Sequence, residues 1–415
     1  MSLRDRMLRG QIVIGVVGPV ATGDRAHYVE ALQRIARRGP WTRVALRSRP
    51  HDPHWYFDPD DTDRWCEQLV TELPPAETDT IGAVALEQAR IITSEHPLHF
   101  FIAGDYVIQV GDHMLGDGKG FVDRMAAVVK MGAGDTELPE WTTTKFESFP
   151  LWKAARDTLL RDSTTRRRLF AARRAEIGAH ENERDNAAET VLWRPQRAAA
   201  HVVVPATRLR EIQAWAREPG RGATVSSAIL VLIRKAFLSA GLPLQRSQTV
   251  IYDVRRYLHD GAGQVGGNFV TGLPLRVDDI GDPRQVAEAM NVQLNSARPL
   301  AALLMGVGQY LASRKEATVI SERRSAPAAH LVFNNLGAAR SLQRLPWTAE
   351  RDERNLTIIV PAESPEQVTV TVAVIASCLQ VTASFHANVF DEDTVRRALR
   401  HFAEAPLGVL MEHHV

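Results

Sequence analysis

The sequence predicts an α+β fold in two domains of similar size, 1–187 and 188–415. Three observations lead there. The chain has 415 residues, more than one ordinary domain holds. Strand-like alternation and helix-like periodicity mix in both halves, with hairpins rather than a regular strand–helix–strand alternation. That pattern favours mixed sheets layered with helices. Finally, a polar stretch over 182–198 parts the halves, and strand and helix patterns restart beyond it.

In the first half, the β-branched run 12–17 reads as a strand closed by Gly18-Pro19. Arg4, Arg6 and Arg9 precede it, but the run is too short and too β-branched for a signal peptide. Asp24 caps a helix whose stripe is Tyr28, Leu32, Ile35 and Ala36, ending at Gly39-Pro40. Alternation over 43–47 predicts another strand, and the Pro- and Asp-rich stretch 51–63 a loop. A short helix carries Trp65 and Leu69, and a second carries Ile81, Ala85 and Ile91. Strands over 98–102 and 106–110 flank Ala103-Gly104-Asp105 as a hairpin. Beyond 118 a helical period sets in, with Phe121, Met125, Val128 and Val129 on one side. Residues 132–150 read as a linker or ordered loop, and 151–179 as a basic, solvated helix with Arg166, Arg167, Arg168, Arg173 and Arg174.

The second half opens with a strand over 201–204 and a helix over 207–217. Thr224 caps a very apolar helix over 225–238, which must be buried. A strand over 249–254 ends in Asp253-Val254-Arg255-Arg256, and a glycine-rich turn over 261–267 leads to Asn268-Phe269-Val270 and Leu273-Pro274-Leu275. Helices over 283–295 and 299–317 follow, then strands over 331–334, 356–360, 368–375 and 379–385, and a last helix over 391–402.

Composition narrows the function. The charged fraction is 24% and the net charge +1, so the chain as a whole offers no electrostatic case for nucleic acid. No stretch reads as a membrane span. Cys66 and Cys378 lie far apart and form neither a metal-ligand spacing nor a disulfide framework, which fits two buried thiols in a reducing cytoplasm.

The chemistry converges on the strand end. His113 stands where the 106–110 strand stops, a carboxylate follows at Asp117, and Gly118 permits a sharp turn. A neutral imidazole takes a proton from a hydroxyl, amine or thiol near neutral pH. The run Gly116-Asp117-Gly118-Lys119-Gly120 lacks the frame of a phosphate-binding loop. One His with Asp112 and Asp117 in a single turn is a poor metal set, so no metal is expected. Ser226 and Ser227 lie in an apolar helix without a nucleophile elbow, and His413-His414 read as a tail.

The His113 turn, Asp253-Val254-Arg255, Gly266-Gly267-Asn268-Phe269-Val270 with Leu273-Pro274-Leu275, and Phe333-Asn334-Asn335-Leu336-Gly337 come in a recognisable order. Together they resemble the chloramphenicol acetyltransferase-like superfamily. The look is closest to free-standing condensation enzymes of nonribosomal peptide synthesis and polyketide-associated acyltransferases; wax ester synthases share the pattern. The resemblance implies an α/β sandwich of two acetyltransferase-like lobes in a V with a tunnel between them. It implies an acyltransferase of natural-product biosynthesis, joining an acyl group from coenzyme A or a carrier-protein phosphopantetheine thioester to an alcohol or amine, with no permanently bound cofactor. His113 is then the general base. Asp117 is structural and pairs with Arg255, with Arg256 as the other choice. The Gly118 backbone N–H faces the developing oxyanion. Asp112, Asn268 and Asn334 line the tunnel. A monomer is expected. The sequence departs from the pattern at Asp112, where condensation domains carry a first histidine, and this puts the acceptor class in question. Two other readings follow from the same motifs: a non-catalytic module that docks a carrier protein, and cyclisation, dehydration or epimerisation of a tethered intermediate.

Overall fold

The structure, a computed structural model, describes residues 1–50, 52–143, 149–180, 189–258, 266–312 and 320–408. The expected boundary at 187/188, most of the 261–267 turn, the end of the helix expected over 299–317 and the His413-His414 tail lie outside the described residues.

In chain order the elements of the first half are α1 (Leu3–Met7), β1 (Ile12–Gly18), α2 (Arg25–Ala36), α3 (Thr62–Glu67), β2 (Val70–Leu73), α4 (Ile81–Gln88), β3 (Leu98–Ala103), β4 (Tyr106–Asp112), α5 (Gly118–Gly132), α6 (Pro150–Ala155) and α7 (Ser163–His180). There follow β5 (Thr190–Leu192), β6 (Arg197–Val204), α8 (Ala206–Arg217), α9 (Val225–Ser239), β7 (Gln248–Asp253), β8 (Val270–Leu275), α10 (Pro283–Asn295) and α11 (Arg298–Ala312). The chain closes with β9 (Glu322–Arg324), β10 (His330–Ala338), β11 (Asn355–Ile359), β12 (Gln367–Ile375), β13 (Cys378–His386) and α12 (Glu392–Glu404).

Two sheets carry the fold. The first has the order β11-β1-β4-β3-β2, antiparallel except for the β2–β3 pair. Helices α2 and α5 cover one face through Tyr28, Leu32, Phe121 and Met125, and Ile81 and Ala85 of α4 pack on the other. A strand covered on both faces should be apolar throughout; β1 is, and β4 is apart from the buried Gln109 and its last residue, Asp112. The second sheet has the order β6-β13-β12-β10-β7-β8. Its β10 runs parallel to both neighbours, β12 and β7. Val250, Leu331, Phe333, Val368 and Val370 point into a core shared with Ile229, Ile233 and Phe237 of α9 and Phe402 of α12. Burying a phenylalanine of this kind contributes about 1.5–3 kcal/mol.

The period of two leaves the alternate residues of β7, β10 and β12 on the opposite face, and these are far more polar: Thr249, His330, Asn334, Gln367 and Thr369. That face is where the cavity described below lies.

The sheets are stitched together at β11. This strand comes late in the sequence yet pairs with β1 along Ile14–Ile359 to Gly18–Asn355. Its other edge does not continue the sheet. Leu356 N–H donates to Gln380 Oε1 at 3.1 Å and Ile358 N–H to Thr382 Oγ1 at 3.3 Å, both side chains of β13.

The structure departs from the sequence reading in several places. The strand expected over 43–47 is absent. Arg43 adopts φ +61°, which breaks an extended run, and Val44, Ala45 and Leu46 are all buried rather than alternating. The basic helix expected over 151–179 is split into α6, a π-helical turn (Arg156–Arg161) and α7. Asp162 causes the break. Its carboxylate accepts from the N–H groups of Thr164 and Thr165, an N-cap arrangement that starts a new helix. Arg166, Arg167 and Arg168 are exposed. Among the described residues no helix is long and apolar enough to cross a membrane.

Candidate active site

The last residue of β4, Asp112, ends in a short turn. Its Oδ1 accepts from Met114 N–H at 2.8 Å and its Oδ2 from Gly10 N–H at 2.9 Å, which closes the one-turn 3-10 helix (His113–Leu115). Gly116 follows at φ +142° and ψ 165°, a conformation open to glycine and to almost nothing else. The chain then enters α5 with Asp117 at the N-cap. His113 is thereby held between the end of a strand and the start of a helix.

Asp117 does not cap α5 with its side chain. The carboxylate is turned to the second half of the chain, where Arg255 Nη1 lies 2.8 Å from Oδ2 and Arg255 Nη2 3.1 Å from Oδ1. Phe269 N–H donates to Oδ2 at 2.8 Å as well. The first N–H groups of a helix have no intrahelical acceptor. Gly118 and Lys119 both line the cavity, at the start of α5 and so at the positive end of the helix dipole. Arg255 also reaches the carbonyl of Gly267 and places its guanidinium 4.8 Å from the Phe269 ring centroid. Burial works against its charge, but Asp117 and Asp253 more than offset that and push its pKa up.

His113 has one settled partner. Its Nδ1 lies 2.9 Å from Asn268 Oδ1. Asn268 Nδ2 donates to Asp5 Oδ1 and to the His113 carbonyl, each at 2.9 Å. Both of those oxygens only accept, so the amide nitrogen must face them and the amide oxygen must face the ring. In the neutral ring Nδ1 therefore carries the hydrogen and Nε2 the lone pair, and Nε2 has no partner among the described residues.

His113, Asp117, Gly118, Asn268 and Asn334 all line one cavity of about 850 Å³. Its walls come from α1, the start of α5, and the polar face of β7, β8, β10 and β12. A second cleft of about 860 Å³ between α4 and β6 contains none of these residues. Asp112 belongs to neither cavity. It was expected in the tunnel, but it is 4% exposed and spends both oxygens on backbone N–H groups. Its burial raises its pKa, against the pull of those two hydrogen bonds and the nearby His113 and Arg9. Glu363 shares the His113 cavity; its pKa is raised by burial, with His113 pulling the other way.

Three residues of this region are not read from the sequence as site residues: Arg4, Asp5 and Arg43. Arg43 Nη2 lies 3.1 Å from Asp5 Oδ2, and Arg4 sits 4.3 Å from the Phe269 ring centroid. The one signal for Asp5 is its sign, an acid amid Arg4, Arg6 and Arg9.

No family model and no curated protein matches the chain. Solved structures do. One is TRI3, the trichothecene 15-O-acetyltransferase of Fusarium sporotrichioides, with a TM-score of 0.64, 14% identity, 98% of this chain covered and 92% of that one. The first condensation domain of the CDA synthetase matches at 0.60 and 14%, over 98% of this chain and 93% of the other. VibH, a nonribosomal peptide condensation enzyme, matches at 0.53 and 12%, over 99% and 95%. At such identities the likeness establishes the fold over essentially the whole chain.

Proposed function

Proceeding from a chain that has the fold of the chloramphenicol acetyltransferase-like superfamily, we propose that it is an acyltransferase of natural-product biosynthesis. It takes an acyl group from a coenzyme A or carrier-protein thioester to a hydroxyl or amine. Two lobes, 1–187 and 188–415, bound the reaction space. The observation that carries the reading is His113 in the cavity with Nδ1 engaged by Asn268, which leaves Nε2 as the base.

In this reading Nε2 takes the proton of the acceptor as its oxygen or nitrogen attacks the thioester carbonyl. The tetrahedral oxyanion forms near the start of α5, where the Gly118 and Lys119 N–H groups and the helix dipole stabilise it. Collapse breaks the carbon–sulfur bond, and the imidazolium returns its proton to the departing thiolate. Atoms and charge balance, and no covalent enzyme intermediate is needed. Asp117 and Arg255 stay out of the chemistry and fix the turn that carries His113. The acceptor hydroxyl or amine lies against the polar face of β7, β10 and β12 that lines the cavity.

The test is His113→Ala, incubated with an acyl-coenzyme A or an acyl-carrier protein and an amine or alcohol acceptor, and read by intact mass. Losing a general base lowers the rate about 10²–10⁴-fold. Turnover at the wild-type rate would end the proposal, and a wild-type chain that binds carrier protein without acyl transfer would favour the docking-module reading.

A further inference from the structure

The N-terminal helix α1 puts a carboxylate where the sequence gives no reason to look. Asp5 is 0% exposed. Among the described residues, the hydrogen bonds to its oxygens all come from donors. Oδ2 receives Arg43 Nη2 at 3.1 Å and Ser2 Oγ at 2.7 Å, and Oδ1 receives Asn268 Nδ2 at 2.9 Å. Burial alone would raise the Asp5 pKa, but the charge of Arg43 and the hydrogen bonds from Arg43, Ser2 and Asn268 outweigh it and hold the carboxyl below the usual range. Asp5 is therefore an anion that can only accept.

That charge has a consequence two side chains away. Among the described residues the Asn268 amide has three hydrogen-bond partners: the Asp5 carboxylate, the His113 carbonyl and His113 Nδ1. Turning the amide over would set its oxygen against a carboxylate and a carbonyl together. The amide is locked, and its oxygen demands a hydrogen on Nδ1. We propose that Asp5 is a positioning residue which, through Asn268, holds His113 in the tautomer whose Nε2 is unprotonated. The role of that tautomer in turnover rests on the acyltransferase reading, whereas the lock itself does not.

Asp5→Asn tests the lock. An asparagine has one acceptor oxygen where Asp5 has two. If Arg43 takes that oxygen, the new amide nitrogen faces Asn268, the Asn268 amide turns, and its nitrogen then meets the ring. His113 must answer by moving its hydrogen to Nε2. The measurement is nitrogen NMR of the full chain with isotope-labelled histidine, the His113 signal being assigned by its loss in His113→Gln. The wild type is expected to be protonated at Nδ1 alone above the titration of the ring. Asp5→Asn is expected to populate the Nε2–H form and to lower kcat by about 10–100-fold while KM changes little, because the base is lost and the cavity is not.

A wild-type ring protonated at Nε2 overturns the proposal whether or not Asp5→Asn folds. An Asp5→Asn chain that keeps the Nδ1–H ring overturns it too, even if kcat falls, since the loss would then be structural. If instead His113→Ala turned over like the wild type, the transferase reading would fall and the tautomer measurement would still decide the lock.

Discussion

Arg255 grips both oxygens of Asp117, Nη1 at 2.8 Å and Nη2 at 3.1 Å, across 138 residues of sequence. Their side chains are 7% and 0% exposed. Removing one member of such a pair strands the other charge away from water. Asp117→Ala should therefore cost about 3–5 kcal/mol in urea unfolding. Asp117→Leu combined with Arg255→Met should be more stable than either single change, because no lone charge is left. A double variant as unstable as the sum of the singles would show that the two charges are not coupled.

Gly118 tests the mouth of the cavity. A Cβ there would come 2.8 Å from Leu336 Cδ2, the far end of a flexible side chain. Gly118→Ala should change thermal stability by less than about 1 kcal/mol, because alanine suits a helix and Leu336 can turn away. Leu336 would turn into the substrate space, and kcat/KM should fall about tenfold. Adding Leu336→Ala should restore most of it. A Gly118→Ala chain unaffected in kcat/KM would place the reacting atoms away from this turn.

His99 sets a pH dependence of stability. It is 5% exposed, Nε2 lies 2.9 Å from Thr71 Oγ1, and burial, with smaller contributions from His96 and Arg25, pushes its pKa down to about 4. The unfolded chain takes a proton near pH 6.5, and the folded chain refuses it until about pH 4. Stability should be unaffected by this group above pH 6.5 and fall as pH drops from there to about 4. His99→Gln keeps a partner for Thr71 and should flatten that slope in urea titrations at successive pH values.

The thiols should be inert in the folded protein. Burial pushes Cys66 up to about 12, and burial together with the Asp352 carboxylate 3.0 Å away pushes Cys378 up to about 11. Thiolate is the reactive form, so neither should react with a thiol reagent at pH 8 until urea unfolds the chain. Rapid labelling of the native protein would contradict this burial.

What could be read in the sequence was what repeats locally. The apolar runs of β1 and β4, the stripe of α2, the Thr224 cap of α9 and the turn between Asp112 and Gly118 each declare themselves within about a dozen residues. The Asp117–Arg255 pair depended on a resemblance, because nothing local says which of Arg255 and Arg256 turns inward. Asp5 stayed hidden for a physical reason. Its partners, Arg43 and Asn268, lie 38 and 263 residues away, and a charged residue near a chain end carries no periodicity that would mark it as buried. Asp112 shows the reverse error: its place beside His113 suggested chemistry, and its oxygens serve the backbone instead.

The late arrival of β11 has a cost during synthesis. Until the ribosome has released residues 355–359, β1 lacks its neighbour on that side, and a strand reading Ile-Val-Ile-Gly-Val-Val-Gly presents a bare apolar edge. A nascent chain cut short before that point would be sticky rather than half-functional, and separately expressed halves should need each other, or a chaperone, to stay in solution.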